Sequence, residues 1–168
     1  LGPHCMRRFV VVGHDAPTDP EFPLSDLPGS AGRLDLLARS VIAALLRSHG
    51  IRDDTRVSLV LGDEFTLTVD GSTVRSLHPD ERSVAALLRN ALESRDEAVG
   101  HQPVEPSPGV TLRRVGLEET LTRLADAGTL LQLSAEGEQV TDRQPPADPV
   151  FVLSDHRDFT ETESALLS

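Results

Sequence analysis

Apolar residues recur along this chain with two periods, and the changes of period divide it into elements. "RRFVVVGHD" (7–15) is a β-branched run ending in Gly13, the pattern of a buried strand. Residues 16–32 are rich in Pro, Gly, Asp and Ser and read as loop. From Arg33 to His49, apolar residues fall at Leu34, Leu37, Val41, Ala44, Leu45 and Leu46, one face of an amphipathic helix, with Gly50 as its C-cap. "RVSLVLGDE" (56–64) is a second buried strand with a glycine stop. "FTLTVDGSTVRSL" (65–77) alternates with period two around Asp70-Gly71, which predicts a hairpin turning there.

The second half continues the alternation. Pro79 and the acids after it open a helix whose apolar face is Val84, Leu87, Leu88 and Leu92. Residues 100–109 read as a breaker-rich loop and "VTLRRVG" (110–116) as a strand. Residues 117–128 form a short helix stopped by Gly128, 129–138 a strand running into a tight turn, and 142–149 a linker. "VFVLSD" (150–155) is a last strand, followed by a helix in which Thr160 and Glu163 make a capping box. Near-continuous apolar strands alternating with helices predict an α/β protein, a mostly parallel sheet with helices on both faces. In such sheets ligands bind beyond the carboxyl ends of the strands. Gly13-His14-Asp15, Gly62-Asp63-Glu64, residues 134–137 and Ser154-Asp155-His156 all fall there.

Composition narrows the class. The 168 residues suggest one domain, and no apolar run approaches the roughly 20 residues of a membrane-spanning helix. A soluble cytoplasmic protein is expected. The single cysteine, Cys5, leaves no internal disulfide and no multi-cysteine metal site. Residues 1–5 precede Met6 and read as a leftover outside the fold, so the domain is taken as 6–168. The net charge is −11, which lowers the expectation of nucleic-acid binding without removing it, since net charge describes the field and not a local site. All 16 basic residues are arginine, the residue suited to planar two-pronged phosphate contacts.

Several chemistries drop out. No Gly-x-Gly-x-x-Gly follows a strand, and a phosphate loop ending in Gly-Lys cannot exist without lysine. The histidines offer no i, i+4 ligand pair, and no metal is expected. Ser154-Asp155-His156 has the letters of a hydrolytic triad, but adjacent residues on one turn do not converge on a nucleophile.

The motifs "VVVGHDAPT", "LPGSAGRLDLL", "LVLGDE", "LHPDERSVAALLRNAL", "SPGV" and "FVLSDHRDFT", in this order, closely resemble the archaeal tRNA pseudouridine-54 N1-methyltransferases of the SPOUT superfamily. The resemblance runs from Met6 to Ser168. It implies a SPOUT-type sheet with a trefoil knot at its C-terminal end, a homodimer, and S-adenosylmethionine bound by the knot loops. It also implies tRNA as partner, no membrane, and methyl transfer to N1 of a pseudouridine in the T-loop. The cofactor contacts carry over to Leu133 and Ser154, the latter a position where many relatives have glycine. The family continues past Ser168 with a further strand, a leucine-glycine-proline loop and a knot helix. On this reading the domain is cut short, and a chain ending at Ser168 binds cofactor weakly or not at all. The alternative is a non-catalytic α/β dimer that binds structured RNA, or a methyltransferase acting on another RNA base.

Pseudouridine is a C-glycoside, so its N1 carries a proton that must leave before the nitrogen attacks a methyl group. Asp63, at the end of the second strand, is the candidate base or orienter; otherwise it caps a loop. Arg33, at the start of the first helix, completes a phosphate site or pairs with Asp35. Arg113 and Arg114 alternate on one strand, so one of them faces RNA, a dimer partner or solvent. His14 and Asp15 line an RNA pocket or make loop hydrogen bonds. With no Tyr or Trp, RNA is expected to be read by shape and phosphate contacts.

Overall fold

In chain order the elements are β1 (Arg7–Gly13), α1 (Leu34–Leu45), the short strands β2 (Leu46–Arg47) and β3 (Gly50–Ile51), β4 (Thr55–Leu61) and β5 (Phe65–Asp70). Then come α2 (Glu81–Glu93), a 3-10 turn (Arg95–Glu97), β6 (Val104–Ser107), β7 (Val110–Arg113), α3 (Leu117–Ala125), β8 (Thr129–Gln132), β9 (Pro149–Ser154) and α4 (Glu161–Leu167). The computed structural model describes residues 6–22, 24, 33–47, 50–74, 77–99, 102–132, 148–154 and 159–167. Residues 1–5, Leu133, the turn at 134–137, most of the linker, and Asp155 and His156 lie outside that set.

Seven strands form one sheet in the order β6-β7-β5-β4-β1-β9-β8. β4, β1, β9 and β8 run parallel and form the half where the strand ends were expected to carry the site. The β4–β5, β5–β7 and β6–β7 ladders are antiparallel. Geometry forces the first reversal. Only Gly62, Asp63 and Glu64 separate Leu61 from its partner Phe65, and a parallel crossover needs a dozen residues or more. The turn takes left-handed backbone at Gly62 (φ 57°) and Asp63 (φ 55°), conformations that glycine adopts freely and aspartate tolerates.

The hairpin expected at Asp70-Gly71 is therefore displaced to Gly62–Glu64. At Asp70 the carboxylate instead accepts from Ser72 N (2.9 Å) and Ser72 Oγ (2.7 Å), a local turn that ends β5. β6 lies within the stretch read as loop. It is an edge strand, the one place where Pro106 costs no ladder hydrogen bond on a second side. α1 also ends earlier than its apolar period suggested, because Leu46 turns extended and pairs with Ile51.

The sheet buries both faces unequally. Val57, Leu59, Leu61, Leu67 and Leu112 pack under α1 and α2, whose Leu34, Leu37, Val41, Leu88 and Leu92 fill the space above them. On the other face Val10, Val12, Val60, Val150 and Val152 pack under Leu117, Leu121 and Leu124 of α3, with Phe159 and Leu166 at the edge. Among the described residues this second core draws on β1, β8, β9 and Val60 of β4, and Thr120 of α3 bonds Thr66 of β5. Phe9 and Phe151 face each other across the β1–β9 ladder with ring centroids 5.1 Å apart. Among the described residues no helix is long and apolar enough to cross a membrane.

Candidate active site

Parallel pairing puts the ends of β1, β4 and β9 at one edge: Gly13 stands opposite Leu61, and Val12 opposite Ser154. β8 ends beside them, with Gln132 opposite Val152. The loops that follow these strands touch. Gly62 N donates to Gly13 O at 3.0 Å, which holds the β4–β5 turn against the loop after β1.

His14 leaves β1 and reaches Glu163, with Nε2 and Oε1 2.7 Å apart and both side chains largely buried. The same Oε1 accepts from Thr160 N (2.8 Å), while Glu163 N donates to Thr160 Oγ1 (3.1 Å). The capping box at the start of α4 is thus also an anchor to β1. Asp15, next along, is exposed.

Asp63 projects from the β4–β5 turn toward α3. Its Oδ1 accepts from Leu117 N at 2.8 Å and so occupies a free donor at the N-terminus of α3. Gly116 makes the approach possible: a Cβ there would stand 2.4 Å from Asp63 Oδ1. Among the described residues Oδ2 of Asp63 has no hydrogen-bond partner.

The predicted arginines separate into different roles. Arg33 stands in left-handed backbone (φ 60°) before α1 and grips Asp35 with two prongs, Nε–Oδ1 3.0 Å and Nη2–Oδ2 3.1 Å. Asp35 is 1% exposed, and the Arg33 hydrogen bond holds its carboxyl below the ordinary range more strongly than burial raises it. Arg114 donates to Ala98 O (3.0 Å) and Arg95 O (3.2 Å), with its guanidinium 4.8 Å from the centre of the Phe65 ring. Arg113 has no carboxylate partner among the described residues. It lines a hollow with Arg8, Arg56 and Arg123, three residues that reading the sequence segment by segment does not bring together. Leu133 lies outside the described residues; Ser154 is half-buried at the tip of β9.

Residues 6–168 match a family described as putative SAM-dependent RNA methyltransferase. The chain belongs to this family. It is 60% identical over 163 residues to a tRNA (pseudouridine(54)-N(1))-methyltransferase of Haloarcula marismortui, covering 97% of this chain and 82% of that protein. The enzyme of the same name from Haloferax volcanii is 56% identical over the same shares. That from Methanopyrus kandleri is 44% identical, over 96% of this chain and 78% of its own length. Archaeoglobus fulgidus Nep1, solved bound to S-adenosylhomocysteine, shares the fold with a TM-score of 0.57 at 12% identity, covering 99% of this chain and 86% of that one.

The family description implies an S-adenosylmethionine site, and Ser154, the contact the sequence resemblance implies, stands at the strand-end edge. Ser154 is the last residue of β9, half-buried and opposite Val12 at this edge.

Proposed function

We propose that this member of the family transfers a methyl group to N1 of pseudouridine 54 in tRNA. The observation that carries the reading is the convergence of the β1, β4, β8 and β9 ends on one edge, in a chain 60% identical across almost its whole length to a protein named for that reaction. S-adenosylmethionine, when bound, supplies an electrophilic methyl group. The chain's own residues hold the two reactants and deal with the proton.

Ser154 and the Leu133 loop hold the adenosyl end on this reading. Asp63 serves the acceptor. With Oδ1 committed to Leu117 N, its Oδ2 is the oxygen left to receive the N1 proton or to fix the ring. Fixing the acceptor in line is worth the most, since good alignment supplies up to about 7–11 kcal/mol. A positioned base adds on the order of 10²–10⁴ in rate. The His14–Glu163 pair keeps α4 closed against the loop after β1 and so shapes one side of the edge. Of the arginines expected to meet RNA, Arg33 is paired with Asp35 and Arg114 holds two backbone carbonyls, so Arg113 is the one assigned to RNA. The resemblance further supports a homodimer and a cytoplasmic location.

The test is to incubate the full-length protein with labelled S-adenosylmethionine and two tRNA transcripts, one carrying pseudouridine at position 54 and one uridine. Nucleoside mass analysis should find N1-methylpseudouridine in the first and no label in the second. Label in both, or at another position, overturns the acceptor assignment. Ser154→Asp should abolish calorimetric binding of the methyl donor; retained affinity would remove β9 from the cofactor site.

A further inference from the structure

The second face of the sheet is not fully covered. Beside α3 lies a groove of about 380 Å³ floored by β1, β4, β5 and β7. Register explains what stands in it. Arg8 is opposite Arg56, and Arg56 opposite Asp70, which forms one row. Two residues along, Ser58, Thr68 and Thr111 form a second row, with the Ser58 and Thr68 hydroxyls 2.9 Å apart. Arg113 stands opposite Thr66, two residues beyond Thr111. Arg123 completes the wall from α3.

Four arginines and one aspartate give this groove a local formal charge of +3 in a chain of net charge −11. Asp70 does little to offset it: its carboxylate takes Arg56 Nε at 3.0 Å and both Ser72 donors. Among the described residues no carboxylate pairs with Arg8, Arg113 or Arg123. Burial pushes the Arg123 guanidinium below its ordinary pKa, and the charge of Arg113 adds to the effect. An unpaired, partly buried cation beside another cation is unfavourable until an anion joins it. The neighbouring hollow, which shares Arg113 and Arg123, carries Glu118, Glu119 and Asp126, so a polyanion is repelled there and directed toward Arg8 and Arg56.

We propose that this groove binds the phosphate backbone of the substrate RNA, with Arg8, Arg113 and Arg123 as the contacts and the Ser58-Thr68-Thr111 row as a neutral hydrogen-bonding floor. Arg8 and Arg113 lie three strands apart, about 14 Å across the sheet at about 4.8 Å per strand. That span suits a chain of phosphates better than a single one. Arg8 sits at the amino end of β1, away from His14 and Asp63, so that end of the groove holds RNA remote from the reacting base, while Arg113 lies nearer to it. It rests on the methyltransferase reading for its substrate, though not for its charge.

The experiment uses the full chain with the double variant Arg8→Gln/Arg123→Gln, which removes charges that no described carboxylate neutralises and should leave the thermal midpoint and the affinity for S-adenosylmethionine unchanged. Filter binding of tRNA against salt should give a loss of at least tenfold in affinity, alike for tRNAs of different sequence. The slope of log affinity against log salt should flatten by roughly 1.4–1.8, since each phosphate contact contributes about 0.7–0.9. Unchanged tRNA affinity and slope would overturn the proposal. So would a variant that loses tRNA only because sedimentation finds its oligomeric state changed. Inorganic phosphate that stabilises the wild type, with tRNA affinity equal in both proteins, would make the groove a free-anion site and overturn the RNA assignment. A groove variant that weakens tRNA binding while the wild type fails to methylate pseudouridine 54 would leave the groove standing and remove only the acceptor.

Discussion

At Asp63 a single carboxylate joins three segments. Its backbone makes the β4–β5 turn, its Oδ1 caps α3, and its position is that of the candidate base. These roles separate by substitution. Asp63→Ala removes the oxygen that satisfies Leu117 N and should cost about 1 kcal/mol by urea unfolding, together with at least a tenfold fall in turnover. Asp63→Asn keeps an oxygen acceptor for Leu117 and should unfold within about 0.5 kcal/mol of the wild type. If turnover nevertheless falls in the asparagine variant, the negative charge acts in the reaction; if it is unchanged, Asp63 is a helix cap alone. Asp35 is another carboxylate with a defined task. Its folded pKa lies below the unfolded value of about 3.9, so its contribution to stability is fully present above that pH and is lost as pH falls through the folded value. The stability of Asp35→Asn, followed by urea unfolding from pH 6 downward, should therefore fall less steeply with acid than that of the wild type. Equal slopes would mean that Arg33 does not perturb Asp35.

At the scale of elements, α4 is too short to be stable in isolation: seven residues fall well below the length at which helices persist in water. It depends on its capping box, on Leu166 and Phe159 against the second core, and on the His14–Glu163 contact. His14→Ala should raise amide hydrogen exchange across 161–167 and cost roughly 1 kcal/mol, with β1 and β4 still protected. No change in that exchange would show that packing alone holds α4. The capping box was legible in the sequence because its partners are three residues apart. The histidine that completes it was not, because 149 residues separate it from Glu163. β6 was missed for a related reason: breakers that signal a loop are compatible with an edge strand, and whether a strand lies at an edge is decided by its neighbours.

Across the whole molecule, period, turn residues and caps determined where the helices and the central strands lie, and which polar residues follow those strands. These are local properties: a helix face or an apolar strand is written in a dozen consecutive residues. The motifs, taken in order, also carried the family. Tertiary structure alone decided that half the ladders of the seven-stranded sheet are antiparallel, that Asp63 meets α3, that Arg114 is held within the chain, and that Arg8, Arg56, Arg113 and Arg123 share one groove. Each of these depends on register between distant segments. A slip of one residue would turn Arg8 and Arg56 to the opposite face, and the forces that fix the register are the burial of Val10, Val12, Leu59 and their partners, summed over the sheet and not readable at any single position.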